Sequence, residues 1–389
     1  MSGAAAKKPE EMKTRLYSLD ILRGVDIFFL TVVSSLLYSI DDVWSLPAGF
    51  MRQLGHPDWV GFTVLDMVMP LFIFMCGAAL PLALPKRLGA DGRAGWPYWR
   101  HVLARVAMLW VFGMISQGEL LSFDLRRISF FNNTLQTIAC GYVAVACVIL
   151  IRRKWVQVLV PILLAALYTV FLHTCGDLTP RGNAAVVYEA KFLSLFYPDA
   201  TWHPVKQIAD WHYTWWTTMP MFAFMGLAGY HATTILQTKW TQWRRAGTMA
   251  GVGLALLAAG GLLVACGDPC VKHIFTASFT SLAMGVSFLL YALAYVLFDI
   301  LAWRRGLWLV NLFGRHSLWA YMFRDTVLGA PFWSVATLLL GGTERKYGCG
   351  LSRFFASREA YDLCHLVVVV TLVILSMAAW DAWKRRARA

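Results

Sequence analysis

Charge is what this sequence has least of: 15% of its 389 residues are Asp, Glu, Lys or Arg, against 58% that are hydrophobic. That scarcity, with a mean hydropathy of +0.56, is at odds with a soluble domain of this size, which needs a mixed polar surface. Other absences narrow the class further. No G-x-x-x-x-G-K-[ST] loop is present to cradle nucleotide phosphates, so ATP-driven transport has no sequence support. His203 and His212 have no Cys or Glu at ligand spacing, so no zinc centre is expected and no metal is assigned. The first apolar run begins only after Arg15, exceeds the length of a signal-peptide core and is followed by no small-residue cleavage site, which leads to the expectation of a cytoplasmic N-terminus. The charge that remains is lopsided at +13. Its basic residues stand in short clusters between apolar runs rather than along one face, which argues against nucleic acid as a partner and for orientation in a membrane.

What the chain does have is apolar runs of roughly 20 residues, the length of one bilayer crossing. They lie near residues 19–40, 60–84, 101–118, 134–151, 156–175, 214–235, 246–266, 275–300, 307–326 and 362–382. The expected fold is an all-α polytopic membrane bundle of about ten transmembrane helices. It forms a single domain over 15–389 behind a flexible cytoplasmic tail at 1–14. Residues 328–340 are too short a run, and too broken by Pro331, for another span, so the external segment 327–361 is expected to lie at the interface or to re-enter. An even count puts both termini on one side, together with Lys7, Lys8, Arg152, Arg153, Lys154 and Lys384, while the other side holds roughly half as many basic residues. By the positive-inside rule that side is the cytoplasm of a bacterial inner membrane, with lipid as the first partner. Eighteen Trp and fourteen Tyr fit two interfacial aromatic belts.

Five of the eight cysteines, Cys175, Cys266, Cys270, Cys349 and Cys364, fall near the external face, where both disulfides and free thiols fit and no pairing can be deduced. An internal echo links His56–Met75 with His203, Asp210 and Met219–Met225, each preceding a span that runs inward. A parallel structural repeat and a chance match between aromatic-rich segments both account for it.

Ionisable residues inside a membrane are costly, which makes them candidates for function. Asp20, Arg23 and Asp26 lie three apart along the first turns of the first span. Either the carboxylates neutralise Arg23, or Arg23 meets the phosphates of a cofactor with help from Lys86, Arg87 and Arg100 in the next basic loop. His56 stands at the external end of the second span with Asp66 ten residues further in. An imidazole there is either an interfacial polar group or a catalyst that takes a proton from a sugar hydroxyl or amine, or itself accepts an acyl group, while a carboxylate holds its tautomer. Asp66 is a better partner than Asp58, because an idle carboxylate within lipid is expensive. Asp58 and Trp59 are candidates to touch substrate.

The long external loop 176–213 and the residues just after it carry Trp202, His203, Asp210, Trp211, His212, Trp215 and Trp216. They make either a carbohydrate platform, with Asp210, Trp211 and His212 as contacts, or part of an aromatic belt. Arg315, His316, Arg324 and Asp325 in the ninth span read first as structural pairs.

The segments S-L-D-I-L-R-G-V-D (Ser18–Asp26) and G-H-P-D-W-V-G-F-T-V-L-D-M-V-M-P-L-F-I-F-M-C-G (Gly55–Gly77) together carry a resemblance. With L-Q-T-I at Leu135–Ile138, K-H-I-F-T-A-S-F at Lys272–Phe279 and F-G-R-H-S-L-W-A-Y at Phe313–Tyr321, the chain resembles the bacterial membrane proteins related to lysosomal heparan-alpha-glucosaminide N-acetyltransferase. The resemblance covers most of the chain from Arg15 onward. It implies acetyl-CoA as a cytosolic acyl donor, an amino sugar or glycan as acceptor on the opposite face, His56 as the catalytic histidine, and a homodimer. Ser34 stands where the family has an asparagine, and Thr137 where it has an arginine. Ser34, Gln136 and Lys272 are therefore supporting positions. The additional N-terminal lumenal region and span of the lysosomal relatives is not expected here, in agreement with the even count.

Two other activities compete. An O-acyltransferase of a periplasmic or cell-surface polysaccharide would use the same donor and base. A secondary transporter for sugars or organic acids would keep its ionisable groups near the midplane, whereas the sharpest motif here lies at the external edge. Direct transfer is preferred to an acyl-His56 intermediate, and neither is fixed by the residues alone.

Overall fold

Helix occurs within each of the long apolar runs in the computed structural model, which describes residues 16–89, 91–116, 120, 131, 133–195, 214–324, 327–340 and 353–387. Helix α1 (Tyr17–Trp44) contains a π-turn at Phe29–Val33. Helix α2 (Leu65–Ala83) opens with a 3-10 turn, and α3 (Trp96–Ser116), α4 (Thr134–Val148) and α5 (Lys154–Cys175) follow. After the short α6 (Ala184–Ser194) come α7 (Met219–Leu236), α8 (Gln242–Ala265) and α9 (Ala277–Ile300). The chain ends with α10 (Trp308–Arg315), α11 (Ser317–Arg324), α12 (Ala330–Leu340) and α13 (Arg358–Arg386). Among the described residues there is no strand, and six helices, α1, α2, α5, α8, α9 and α13, are long and apolar enough to cross a membrane.

Helix starts follow local chemistry. Asn133, Thr241 and Ser357 cap α4, α8 and α13 by accepting from backbone N–H groups two or three residues on. The first turn of α1 is capped from a distance, since the Asp299 carboxylate at the end of α9 accepts from Tyr17 N (3.0 Å) and Ser18 N (3.1 Å). Helix ends shift from the sequence expectation by up to about five residues, and two of the differences have a visible local cause. The run expected from residue 60 becomes helical only at Leu65, because residues 55–64 form a hydrogen-bonded loop. The run expected over 307–326 breaks at His316, whose φ of −117° and ψ of 31° separate α10 from α11.

The centre is a three-helix contact made possible by absent side chains. A Cβ on Gly77 of α2 would lie 1.9 Å from the Gly226 carbonyl oxygen of α7, and one on Gly229 would lie 1.8 Å from that of Phe74. Gly141 of α4 touches the same stretch of α7. In lipid, where apolar burial gives no preference for helix over tail, such backbone approach is a main source of helix association. Around it pack Phe74, Phe222, Phe275, Phe279 and Tyr291, all fully buried.

The loop 55–64 and the loop 267–276 meet at one end of the bundle, joined by Gly61 N donating to Cys270 O (2.9 Å). Both described chain ends lie at the other end, Tyr17 against Asp299 and the last turns of α13 against Arg315 and His316 through Asp381. The seven described cysteines are all free, including Cys175, Cys266, Cys270 and Cys364.

Substituting Gly229 by Val should therefore cost about 1–3 kcal/mol or more through overpacking, and lower the unfolding midpoint in detergent. Gly247→Ala, at a position with no heavy atom within 4 Å of a new Cβ, should leave that midpoint unchanged or raised.

Candidate active site and the cavity beneath it

The loop between α1 and α2 is shaped by its own polar atoms. Tyr38 donates to Leu54 O (2.5 Å), and the Gln53 side-chain oxygen accepts from Val64 N (3.3 Å). Thr63 N donates to Asp66 Oδ2 (3.1 Å), while its hydroxyl lies 3.0 Å from the same oxygen and 2.8 Å from Gly55 O. Gly61, at φ +155°, lies against Pro57, where a Cβ would come within 2.7 Å of the ring. These contacts turn Asp66 and His56 towards each other.

His56 Nδ1 is 2.7 Å from Asp66 Oδ1, and Lys272 Nζ is 3.1 Å from that same oxygen. The Lys272 nitrogen also lies 3.2 Å and 3.3 Å from Nδ1 and Nε2 of His56. Asp66 is wholly buried, the Lys272 side chain 12% exposed and the His56 side chain 47% exposed. A carboxylate facing Nδ1 assigns the proton to that nitrogen and leaves Nε2 as the acceptor. Burial is the largest influence on Lys272 and lowers its pKa from the ordinary lysine value, although Asp66 pulls the other way.

The strand of chain bearing Lys272 is held from several sides. Asp268 pairs with His173 (2.9 Å) and accepts from Ser278 N (2.7 Å). The Trp215 indole donates to His273 O and the Tyr168 hydroxyl to Ile274 O, each at 2.7 Å. Trp59 stacks on His273 at 5.6 Å between ring centres and donates to Leu178 O (2.8 Å), tying a third loop to the rim.

From this cluster a cavity of about 1170 Å³ runs into the bundle. One wall is a single face of α2, with Leu65, Val68, Phe72, Cys76, Ala79 and Ala83 at helical spacing. Met108, Leu109 and Phe112 of α3 stand among the other lining residues. Leu65 to Ala83 is a helical rise of roughly 27 Å, close to the ~30 Å of a hydrocarbon core. Away from His56 the lining gains basic side chains: Arg23, His101, Arg105, Arg315 and His316.

The expected residues thus divide. His56, Lys272 and Arg23 line one cavity, and Asp66 stands directly behind His56. Lys86 and Arg87 line a separate cleft with Arg93, and Arg100 is exposed outside the cavity. Arg23 lies 3.9 Å from Asp20, whereas Asp26 is buried with its Oδ2 making no hydrogen bond among the described residues. Asp58 is exposed at the rim, beside the stacked Trp59. Ser34 spends its hydroxyl on Leu30 O within α1, and Gln136 is buried behind Gly113, neither lining the cavity. Asp210, Trp211 and His212, with Trp202 and His203, lie outside the described residues.

His101 and Arg105 are functional candidates that the sequence reading passed over. Their signal is an i, i+4 pair of cationic residues within an apolar helix, on the face shared with Met108, Leu109 and Phe112. Arg315 and His316 do make the structural pairs expected of that segment, with Asp381 at 2.7 Å and 2.6 Å, and at the same time face the cavity.

Fold and site together define the class: a helical bundle of membrane-spanning dimensions with a His–Asp–Lys cluster at one end of a bundle-length cavity. Within it, the family model described as Domain of unknown function (DUF5009) matches residues 15–173, the stretch that carries Arg23, His56, Asp66 and Arg105 but not Lys272. No curated protein matches the chain.

Removing one member of a buried ion pair strands the other. Asp66→Ala should cost on the order of 3–5 kcal/mol by leaving the Lys272 ammonium uncompensated. Asp66→Ala combined with Lys272→Met should cost clearly less than the sum of the single losses, read from unfolding midpoints in detergent. Strictly additive losses would contradict the pairing.

Proposed function

We propose that the protein is a transmembrane acetyltransferase, which takes an acetyl group from acetyl-CoA on the cytoplasmic side and passes it to an amino sugar or glycan on the other side. The observation that carries this reading is the cavity joining a cationic end to His56 across the depth of the bundle. In this reading ten helical segments cross a bacterial inner membrane. Both termini are cytoplasmic, matching the basic clusters on that side and the position of both described chain ends opposite His56. The resemblance to heparan-alpha-glucosaminide N-acetyltransferase relatives supports the same assignment and adds a homodimer.

The lining fits such a donor in three zones. Arg23, Arg105 and Arg315 offer guanidinium groups for phosphates, which they bind in a planar, bidentate manner. The apolar wall along α2 accommodates an extended arm, and its length delivers a thioester to the level of His56. Bound there, the donor supplies an activated acyl carbon. His56, its Nδ1–H held by Asp66, offers Nε2 to take the proton from the acceptor's amine as that nitrogen attacks. Because His56 is half-exposed at the rim, the acceptor reaches it from outside without entering the cavity. The same base serves a hydroxyl acceptor. A transporter fits less well, since the tightest cluster of ionisable groups, His56 with Asp66 and Lys272, lies at the rim rather than at mid-depth.

Purified protein supplied with labelled acetyl-CoA and glucosamine should yield acetylated sugar. His56→Ala should lower turnover by roughly 10²–10⁴-fold while donor binding persists. Arg105→Ala should instead raise KM for acetyl-CoA with a smaller change in kcat. Full turnover in His56→Ala, or sugar uptake into proteoliposomes without any acyl donor, would overturn the assignment.

A further inference from the structure

Lys272 is placed more tightly than a stabilising ion pair requires. Its ammonium has three N–H donors. One is directed to Asp66 Oδ1 at 3.1 Å. Near-equal distances of 3.2 Å and 3.3 Å to the two ring nitrogens put Nζ off the lone-pair axis of Nε2, so His56 is a poor acceptor for the others. Among the described residues no further partner is present for this largely buried group, which lines the cavity beside Nε2. Buried donors without partners are costly, and a donor aimed into a cavity fits a ligand that carries an acceptor.

From this geometry we propose that Lys272 is a catalytic residue that donates a hydrogen bond to the thioester carbonyl oxygen and stabilises the oxyanion formed there, a role that rests on the acetyltransferase reading. Charge is consistent with this. Before the reaction Asp66 and Lys272 cancel, and the step requires Nε2 of His56 to be free of a proton. When the acceptor nitrogen attacks the carbonyl carbon, its proton moves to Nε2 and the carbonyl electron pair moves to oxygen, so one positive and one negative charge appear together beside the ammonium. Collapse re-forms the carbonyl, breaks the carbon–sulfur bond and returns the proton from Nε2 to the departing sulfur, leaving an amide and a thiol. Lys272 keeps its three protons throughout. Preorganised donors of this kind act on the transition state more than on the ground state.

The test compares wild type, Lys272→Met and Lys272→Arg with acetyl-CoA and with its dithioester analogue, in which sulfur replaces the carbonyl oxygen. Lys272→Met should lower kcat by about 10²–10³-fold with a smaller effect on KM, and Lys272→Arg should restore part of it. The oxygen-to-sulfur rate ratio should fall by about tenfold or more in Lys272→Met, because the hydrogen bond that distinguishes the two donors is gone. A second readout needs no turnover. In His56→Ala, the carbonyl band of bound carbon-13-labelled acetyl-CoA should lie below its solution frequency, and adding Lys272→Met should return it. A rate loss with an unchanged ratio and an unmoved band would overturn the role of Lys272 and leave the acetyltransferase reading intact. No transfer by wild type under any condition would overturn that reading instead.

Discussion

A single buried carboxylate holds the working end of this molecule together. Asp66 accepts from His56 through one oxygen and from Thr63 through the other, and the first oxygen is shared with Lys272. An isolated carboxylate at that depth would be expensive, and so would an isolated ammonium. Placed together, each makes the other tolerable. The arrangement also fixes geometry between distant parts of the chain, because His56 and Asp66 belong to the α1–α2 connection and Lys272 to the α8–α9 connection. The backbone bond from Gly61 to Cys270 and the stack of Trp59 on His273 reinforce the same junction. The imidazole is consequently held with Nδ1 towards Asp66 and Nε2 on the cavity side, beside Lys272 Nζ at 3.3 Å, an orientation that suits a general base.

Behind that rim, the cavity sorts its chemistry by depth. Apolar residues of α2 and α3 make up much of the lining, and basic residues join it away from His56, with Arg105 about midway along α3. Charge is most costly between the two interfaces, which marks a cation at that depth as a candidate for ligand contact. Such a lining matches a long amphipathic molecule with an anionic end.

Several features were legible in the sequence for physical reasons. A carboxylate inside an apolar run, ten residues after a histidine, is hard to explain as packing, and it does pair with that histidine. The long apolar helices were visible from hydropathy alone, whereas α6 lies within a stretch that reads as a loop. The cationic end was harder. Lys86, Arg87 and Arg100 lie in or beside a basic loop and drew attention by their number, but which residues face inward depends on helix phase. That phase turns His101 and Arg105 to the cavity and leaves Arg100 outside. The break at His316 was hidden as well, since R-H-S-L-W carries neither proline nor glycine, and Gly314 just before it serves the close crossing with α1 at Asp20. Lys272 drew notice only as part of a matched segment. No local pattern announces that a residue more than 200 positions away in sequence completes a pair, and only the tertiary fold brings it to Asp66.

The central claim is that one passage connects a donor on one side of the membrane with an acceptor on the other. It is tested most directly with sealed proteoliposomes in which the protein has a known, single orientation. Acetyl-CoA is confined to the face bearing the chain termini and labelled amino sugar to the face bearing His56. The account requires product to form in this arrangement and only trace product when the two reagents exchange sides. Equal product in both arrangements, or product only when donor and acceptor share a compartment, would contradict it.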